Sequence, residues 1–484
     1  MITFLISMVA LIVGYLLYGR FVEHVFGPDD RKTPAITSAD GVDYVVLPSW
    51  KIFMIQFLNI AGTGPIFGAI LGAKFGPVAY LWIVFGCIFA GAVHDYLSGM
   101  LSMRHNGAGL PELIGHYLGD HTKKVMLVFS VFLLIMVGAV FVYSPAIILS
   151  GLGGSTTLWI IVIFAYYLIA TLLPIDKIIG RIYPLFAISL LFMAVALFVC
   201  LVTKMPQLPE LWDGLENLGV KTDSSFTDSI FPCLFITIAC GAISGFHATQ
   251  SPLMARCMKH EKMGRPIFYG SMITEGIVAL IWATVAMYFF YDNNTPGYKV
   301  IEGALESGYH TPAPMVVKLI CNEWLGVFGG ILAMLGVVAA PITSGDTALR
   351  SCRLIIAEFL HLKQQSIHSR FYITIPLFTV TALFLIWNIN NPDGFNLIWQ
   401  YFGWANQTLT LFTLWMLTVY LAQQHKPYVI TFVPAVCMLV ICLTFILYSK
   451  TAFNLGLTIA SSISAVAFVI AIVWFYTWKK KNVR

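Results

Sequence analysis

Charge is scarce in this sequence. Of 484 residues, 28 are Lys or Arg and 23 are Asp or Glu, 11% in all. A typical soluble domain carries about 25% charge and about 45–50% apolar residues. Here 58% are apolar and the mean hydropathy is +0.83. So few charges cannot cover that much apolar surface in water, which excludes a string of soluble domains. The same composition excludes disorder. The short alternating runs of a membrane β-barrel are also missing. Nine cysteines are present, but none forms a CxxC pair. They read as small buried hydrophobes, with no disulfide framework, no metal site and no cofactor expected. The stretch before Arg20 has no basic n-region and no small-x-small site, so a first membrane helix is expected there, not a cleaved leader. The net charge of +5 is modest and points to topology, not to a nucleic-acid partner.

What is present is a long series of apolar segments. A bilayer core about 30 Å thick takes roughly 20 apolar residues as helix. Thirteen segments qualify: 1–19, 52–73, 77–103, 125–152, 158–175, 182–203, 229–254, 268–290, 324–345, 371–389, 395–422, 428–448 and 452–478. With the N-terminus outside and strict alternation, 22 Lys and Arg fall on the cytoplasmic side and 6 outside. That asymmetry supports both the count and the orientation. Loops 204–228 and 291–323 then lie outside and hold acidic residues including Glu210, Asp213, Glu216, Asp223 and Glu302. The fold expected is an all-α polytopic membrane protein of about 13 spans.

Two segments are interrupted. The second reads Ile60-Ala61-Gly62-Thr63-Gly64-Pro65-Ile66, and the seventh contains Cys240-Gly241-Ala242-Ile243-Ser244-Gly245-Phe246-His247 and Pro252. Glycine and proline weaken a helix there, and hydroxyls can serve the freed backbone groups. Each interruption opens a block of five spans, and the two blocks enter the membrane from opposite sides. An inverted repeat with a broken first helix in each half is the best sequence pointer to a secondary transporter. The chain then divides into residues 1–51 (an extra helix and a cytoplasmic loop), 52–203 (first repeat), 229–422 (second repeat) and 428–484 (two further helices and a basic tail). The bland alternative is close packing, since Gly64, Gly68 and Gly72 fall in an i, i+4, i+8 stripe.

Several short motifs then resemble a known family. They are Asp40-Gly41-Val42-Asp43-Tyr44, Ala61-Gly62-Thr63-Gly64-Pro65, Ala90-Gly91-Ala92-Val93-His94-Asp95, Arg104-His105-Asn106-Gly107-Ala108, Ser244-Gly245-Phe246-His247 and Ala405-Asn406-Gln407. In this order they resemble the carbon starvation protein A family of bacterial inner-membrane transporters, in a shorter form. The resemblance implies uptake of small carbon sources during nutrient limitation, with peptides or pyruvate as substrates and proton symport for pyruvate. It also implies an APC-superfamily, LeuT-like core of five plus five helices. A structured cytoplasmic lid over Gly27–Trp50 rests on the same resemblance.

Half-helix N-termini carry positive partial charge and free N–H groups, which suit a carboxylate. The substrate site is therefore expected at Gly62, Thr63, Gly64, Gly241, Ser244, Gly245 and His247, with a neutral polar solute as the alternative. Carboxylates inside membrane spans are costly and invite a functional reading. Asp95, Glu275 and Asp346 are the three in or near spans, and all are expected in the cytoplasmic third. Asp95 has Arg104 as a prospective partner. Asp346 has Arg350 at i+4. Glu275 has no nearby cation in sequence and is the leading proton carrier. Thr343 and Ser344 match by position the hydroxyl pair of a LeuT-type sodium site. Their alternative is back-bonding to i−4 carbonyls. The coupling ion is H+ or Na+. Trp404, Asn406 and Gln407 either line the pathway or hold helices together, the latter favoured.

Enzyme motifs fail. Ser244 and His247 lack a GxSxG elbow. His260-Glu261 begins a zincin pattern, but Gly264 stands at the second histidine position. The expected function is an ion-driven importer of a small carboxylate, pyruvate or short peptide. Amino-acid transport and a membrane-embedded sensor are the alternatives.

Overall fold

The computed structural model describes residues 1–41, 43–151, 153–172, 175–214, 229–291, 313–362, 364, 366–391 and 394–483. Glu216, Asp223 and Glu302, named above, lie outside them. Every regular element among the described residues is helical. In chain order we label α1 (Ile2–Phe26), α2 (Ser49–Ala61), α3 (Gly64–Phe75), α4 (Val78–Arg104), α5 (Leu110–Leu118), α6 (Asp120–Ser150), α7 (Thr156–Leu172) and α8 (Ile175–Lys204). Then follow α9 (Ile230–Thr237), α10 (Gly245–Ala255), α11 (Glu261–Phe289), α12 (Ala313–Phe359), α13 (Ile367–Asn390), α14 (Gly394–Gln423), α15 (Val429–Tyr448) and α16 (Leu457–Asn482).

Among the described residues, each of the thirteen apolar segments overlaps one of these helices or a broken pair. Among the described residues, eight helices are long and apolar enough to cross a membrane, or up to nine if the bent pair α2–α3 counts as one span. That pair bends by 48°. The cause is Gly62, whose φ of +44° no L side chain adopts cheaply. The second break runs between α9 and α10 and turns on Gly241, at φ +91°.

The long α6 and α8 pack along α12, and α10 packs along α4. Helix α1 lies against α4 and α11 outside this centre. Helices α14, α15 and α16 follow one another outward, and only 11% of the apolar stretch of α16 is buried. Such an exposed apolar helix suits contact with lipid chains.

The two ends of the bundle are held differently. At one end Glu210 accepts from Ile2 N (2.9 Å) and Thr3 N (2.7 Å), which closes the start of α1. Burial alone would raise its carboxyl, but the Met1 ammonium, which also donates to it, and the bonds from Thr3 and Ile2 hold it down at about 2. Residues 27–48 belong to the other end. There Arg104 grips Glu261 with two bonds of 3.0 Å, and Asp29 N donates to the same carboxylate at 3.0 Å. Thr33 Oγ1 donates to Met258 O at 2.5 Å, and Leu47 N donates to Cys257 O at 3.2 Å.

Candidate functional site

The two breaks meet. Gly64, first residue of α3, lies so close to the second break that a Cβ there would sit 2.2 Å from Cys240 Cβ. A Cβ on Gly68 would come within 2.9 Å of Thr237 O, and one on Gly72 within 2.3 Å of Ile238 Cγ1. The i, i+4, i+8 stripe is thus a packing stripe, and what it packs is the second interruption. The packing and the break readings of these glycines describe one arrangement.

Helix α14 closes the second break. Asn406 Oδ1 accepts from Phe246 N at 2.6 Å, an N–H in the first turn of α10 with no partner inside its own helix. Asn406 Nδ2 donates to Ser244 Oγ at 2.9 Å. A side chain from another helix therefore does the work of an N-cap. Its two neighbours join helices instead. Trp404 Nε1 donates to Cys442 O on α15 (3.1 Å), and Gln407 Nε2 to Phe235 O on α9 (3.1 Å).

Beside this junction lies a fully buried acid–imidazole chain. His94 Nδ1 is 2.8 Å from Asp95 Oδ1, and His247 Nδ1 is 2.7 Å from Asp95 Oδ2. His247 Nε2 then stands 3.3 Å from Glu275 Oε2. Helices α4, α10 and α11 supply the members, and a π-helical stretch, Trp82–Gly91, leads into the His94–Asp95 pair. Such stretches are frequent at functional sites. All four side chains are without solvent exposure. Cys240 Sγ belongs to the same group: its ligand atom, with those of His247 and Glu275, lies within a 4.8 Å set.

These contacts, with one at Asp346, correct three expectations. Asp95 does not pair with Arg104. Nine residues of helix separate them, about 13.5 Å at 1.5 Å per residue, beyond side-chain reach. Arg104 is at the bundle end with Glu261 instead. Glu275 has a partner after all, His247, supplied by a helix that sequence proximity could not indicate. Asp346 in turn finds Tyr183, whose hydroxyl donates to Oδ2 at 2.5 Å, rather than the i+4 Arg350. Arg350 donates to Ala170 O at 2.5 Å and faces Asp43 at 3.9 Å.

The first break carries a second polar cluster. Ser344 Oγ lies 3.0 Å from Leu58 O and 3.0 Å from Asn59 O, carbonyls of the last helical turn before Gly62. Thr343 Oγ1 bonds back to Ala339 O (3.0 Å) and Ala340 O (2.9 Å). The hydroxyl pair is split because adjacent helical residues point about 100° apart. Back-bonding holds for Thr343, and Ser344 reaches across. The Asn59 side chain and Thr63 Oγ1 are buried there with no hydrogen-bond partner among the described residues, as is Gln56 Oε1. Gln56, Asn59 and Tyr183 were not singled out from sequence, and His94 and Cys240 stood there only within longer motifs, with no site role. Gln56 and Asn59, polar at i and i+3 just before a glycine break, were the available signal for two of them.

Comparison with known proteins agrees with this architecture. The Eremococcus coleocola manganese transporter superposes with a TM-score of 0.58 at 12% identity, over 92% of this chain and 99% of that one. A Na+-coupled sialic acid symporter superposes with a TM-score of 0.52 at 14% identity, over 96% of each chain. At such identities the likeness is one of fold. In sequence, an uncharacterized membrane protein of Haemophilus influenzae is 45% identical over 339 residues, 60% of this chain and 91% of that protein. The peptide transporter CstA of Campylobacter jejuni is 27% identical, over 94% of this chain and 81% of that protein. The pyruvate/proton symporter BtsT of Escherichia coli is 28% identical over 59% of this chain and 49% of its own length. The relatives and fold neighbours whose names state an activity are thus transporters, not enzymes. With residues 1–150, 142–310 and 310–445 all matching the family described as carbon starvation protein CstA, this multi-pass membrane protein belongs to that family.

Proposed function

We propose that the protein is a secondary active transporter importing a small carboxylate-bearing nutrient, pyruvate or a short peptide, down an ion gradient. The observation that carries this reading is the junction of the two breaks, with buried polar groups left unpartnered beside it. Among the described residues, Asn59 Nδ2 and Thr63 Oγ1 are donors without acceptors. Buried donors of this kind cost about 1–3 kcal/mol each when unsatisfied, so they suit an incoming ligand better than a closed structure. A carboxylate between them would complete both. Ser344 Oγ with Leu58 O and Asn59 O supplies hard oxygens of the kind that hold sodium.

The core is read as two five-helix repeats of opposite topology, residues 52–203 and 229–422, in a LeuT-like arrangement of about thirteen spans. The N-terminus is outside, the C-terminus cytoplasmic, and the membrane a bacterial inner membrane. The broken pairs α2–α3 and α9–α10, meeting at their breaks, support this reading.

Reconstitution into proteoliposomes tests it. Labelled pyruvate or dipeptide is expected to accumulate under an imposed sodium or proton gradient and not without one. If sodium drives uptake, Ser344→Ala should raise the half-saturating sodium concentration at least about tenfold, about 1.4 kcal/mol of site affinity. Thr343→Val should change it little, because that hydroxyl is spent on its own helix. Proton-driven uptake indifferent to Ser344→Ala would make the proton the coupling ion. No gradient-driven uptake of either substrate would overturn the transport reading as stated.

A further inference from the structure

We propose that Cys240, His247 and Glu275 form a binding site for a divalent transition-metal ion of the zinc type at the seam of the two breaks. Their ligand atoms all lie within 4.8 Å of one another. Two ligands each about 2.0–2.1 Å from a tetrahedral ion stand about 3.3 Å apart. That is the spacing of His247 Nε2 and Glu275 Oε2, 3.3 Å. That 3.3 Å contact is an ion-pair distance without hydrogen-bond geometry: neither Glu275 oxygen nor His247 Nε2 makes a hydrogen bond among the described residues, although all are buried. Buried lone-pair atoms gathered this closely suit a cation.

The orientation of the imidazole agrees. With Nδ1–H donated to Asp95 Oδ2 at 2.7 Å, the neutral imidazole that a metal requires has its lone pair on Nε2, the nitrogen grouped with Cys240 and Glu275. A carboxylate behind a metal-bound histidine is the usual outer-shell arrangement. Charge agrees too. The side-chain partners of the buried Asp95 and Glu275 carboxylates are imidazoles; with Cys240 as thiolate the cluster carries three negative charges, of which a dication offsets two. A thiol, an imidazole and a carboxylate together select zinc or cobalt over sodium or magnesium. Cys240 would bind as thiolate, its proton passing to solvent as the ion enters. Three protein ligands leave a fourth position open. This reverses the expectation from sequence of no metal. The ligands come from the break, α10 and α11, so no short spacing announces them.

The test uses the full chain in detergent, stripped with chelator and titrated with Co2+. One equivalent should bind with a thiolate-to-cobalt absorption band in the near ultraviolet, and Zn2+ should displace it. Cys240→Ser should abolish the band and weaken binding at least tenfold. Asp95→Asn should keep the band and weaken binding about 10–100-fold. Cys240→Ala, which only removes atoms from the contact with Gly64, gives the same reading if serine disturbs folding. No band in the unaltered protein, or a band that survives in both Cys240 variants, would overturn the site. The titration requires no transport, so it stands or falls independently of the proposed function.

Discussion

Gly245→Ala is expected to lower the melting temperature clearly and to reduce uptake at least tenfold. A Cβ at Gly245 would sit 2.4 Å from Asn406 O and 2.4 Å from Thr410 N. Both neighbours are backbone of α14, so no rotamer change can relieve the contact. The helices must separate, and the Asn406–Phe246 bond of 2.6 Å goes with them. Overpacking typically costs about 1–3 kcal/mol. A lost cap adds about 1 kcal/mol. The control is Gly456→Ala, where the new Cβ meets nothing within 4 Å. Thermal melting in detergent and proteoliposome uptake read the two variants side by side. A Gly245→Ala protein that melts with the control would show that α10 and α14 are not in close contact.

Asp95→Ala should be the most damaging single change to the buried chain. Asp95 is the common partner of His94 and His247, at 2.8 and 2.7 Å, and none of the three is exposed. Removing one member of a buried pair costs about 3–5 kcal/mol, because the remaining polar groups lose their partner without gaining water. Asp95→Asn keeps one acceptor oxygen and should recover most of that loss. Equal melting temperatures for the alanine and asparagine variants would mean that Asp95 does not hold the two imidazoles. If the alanine variant yields no folded protein, the asparagine variant and its melting curve still carry the comparison.

The legible and the illegible parts of this molecule differ in range. The two interruptions were readable because glycine and proline act on their own turn of helix. The stripe Gly64, Gly68 and Gly72 was readable as a face, because period alone assigns residues to faces. What lay opposite that face, Cys240, Thr237 and Ile238, was not. Asp95 was matched to Arg104 on proximity in sequence, and helix rise defeats that pairing. Asp346 was matched to Arg350 on i+4 spacing, while a tyrosine 163 residues earlier holds its carboxylate. Ser344 and Thr343 were one motif in sequence and are two roles in space.

Scarcity of charge, the spacing of apolar runs and the two glycine-rich gaps establish on their own a helical membrane protein with two broken helices. Each of those signals is local, or sums over the chain without regard to contacts. Tertiary structure alone decides that the breaks meet, that Asn406 caps one of them, and that Asp95, His247, Glu275 and Cys240 converge. Inside a membrane no water satisfies a buried polar group, so each must find its partner on another helix. Helical period says which way such a group points, and only the packing of the helices says what it meets.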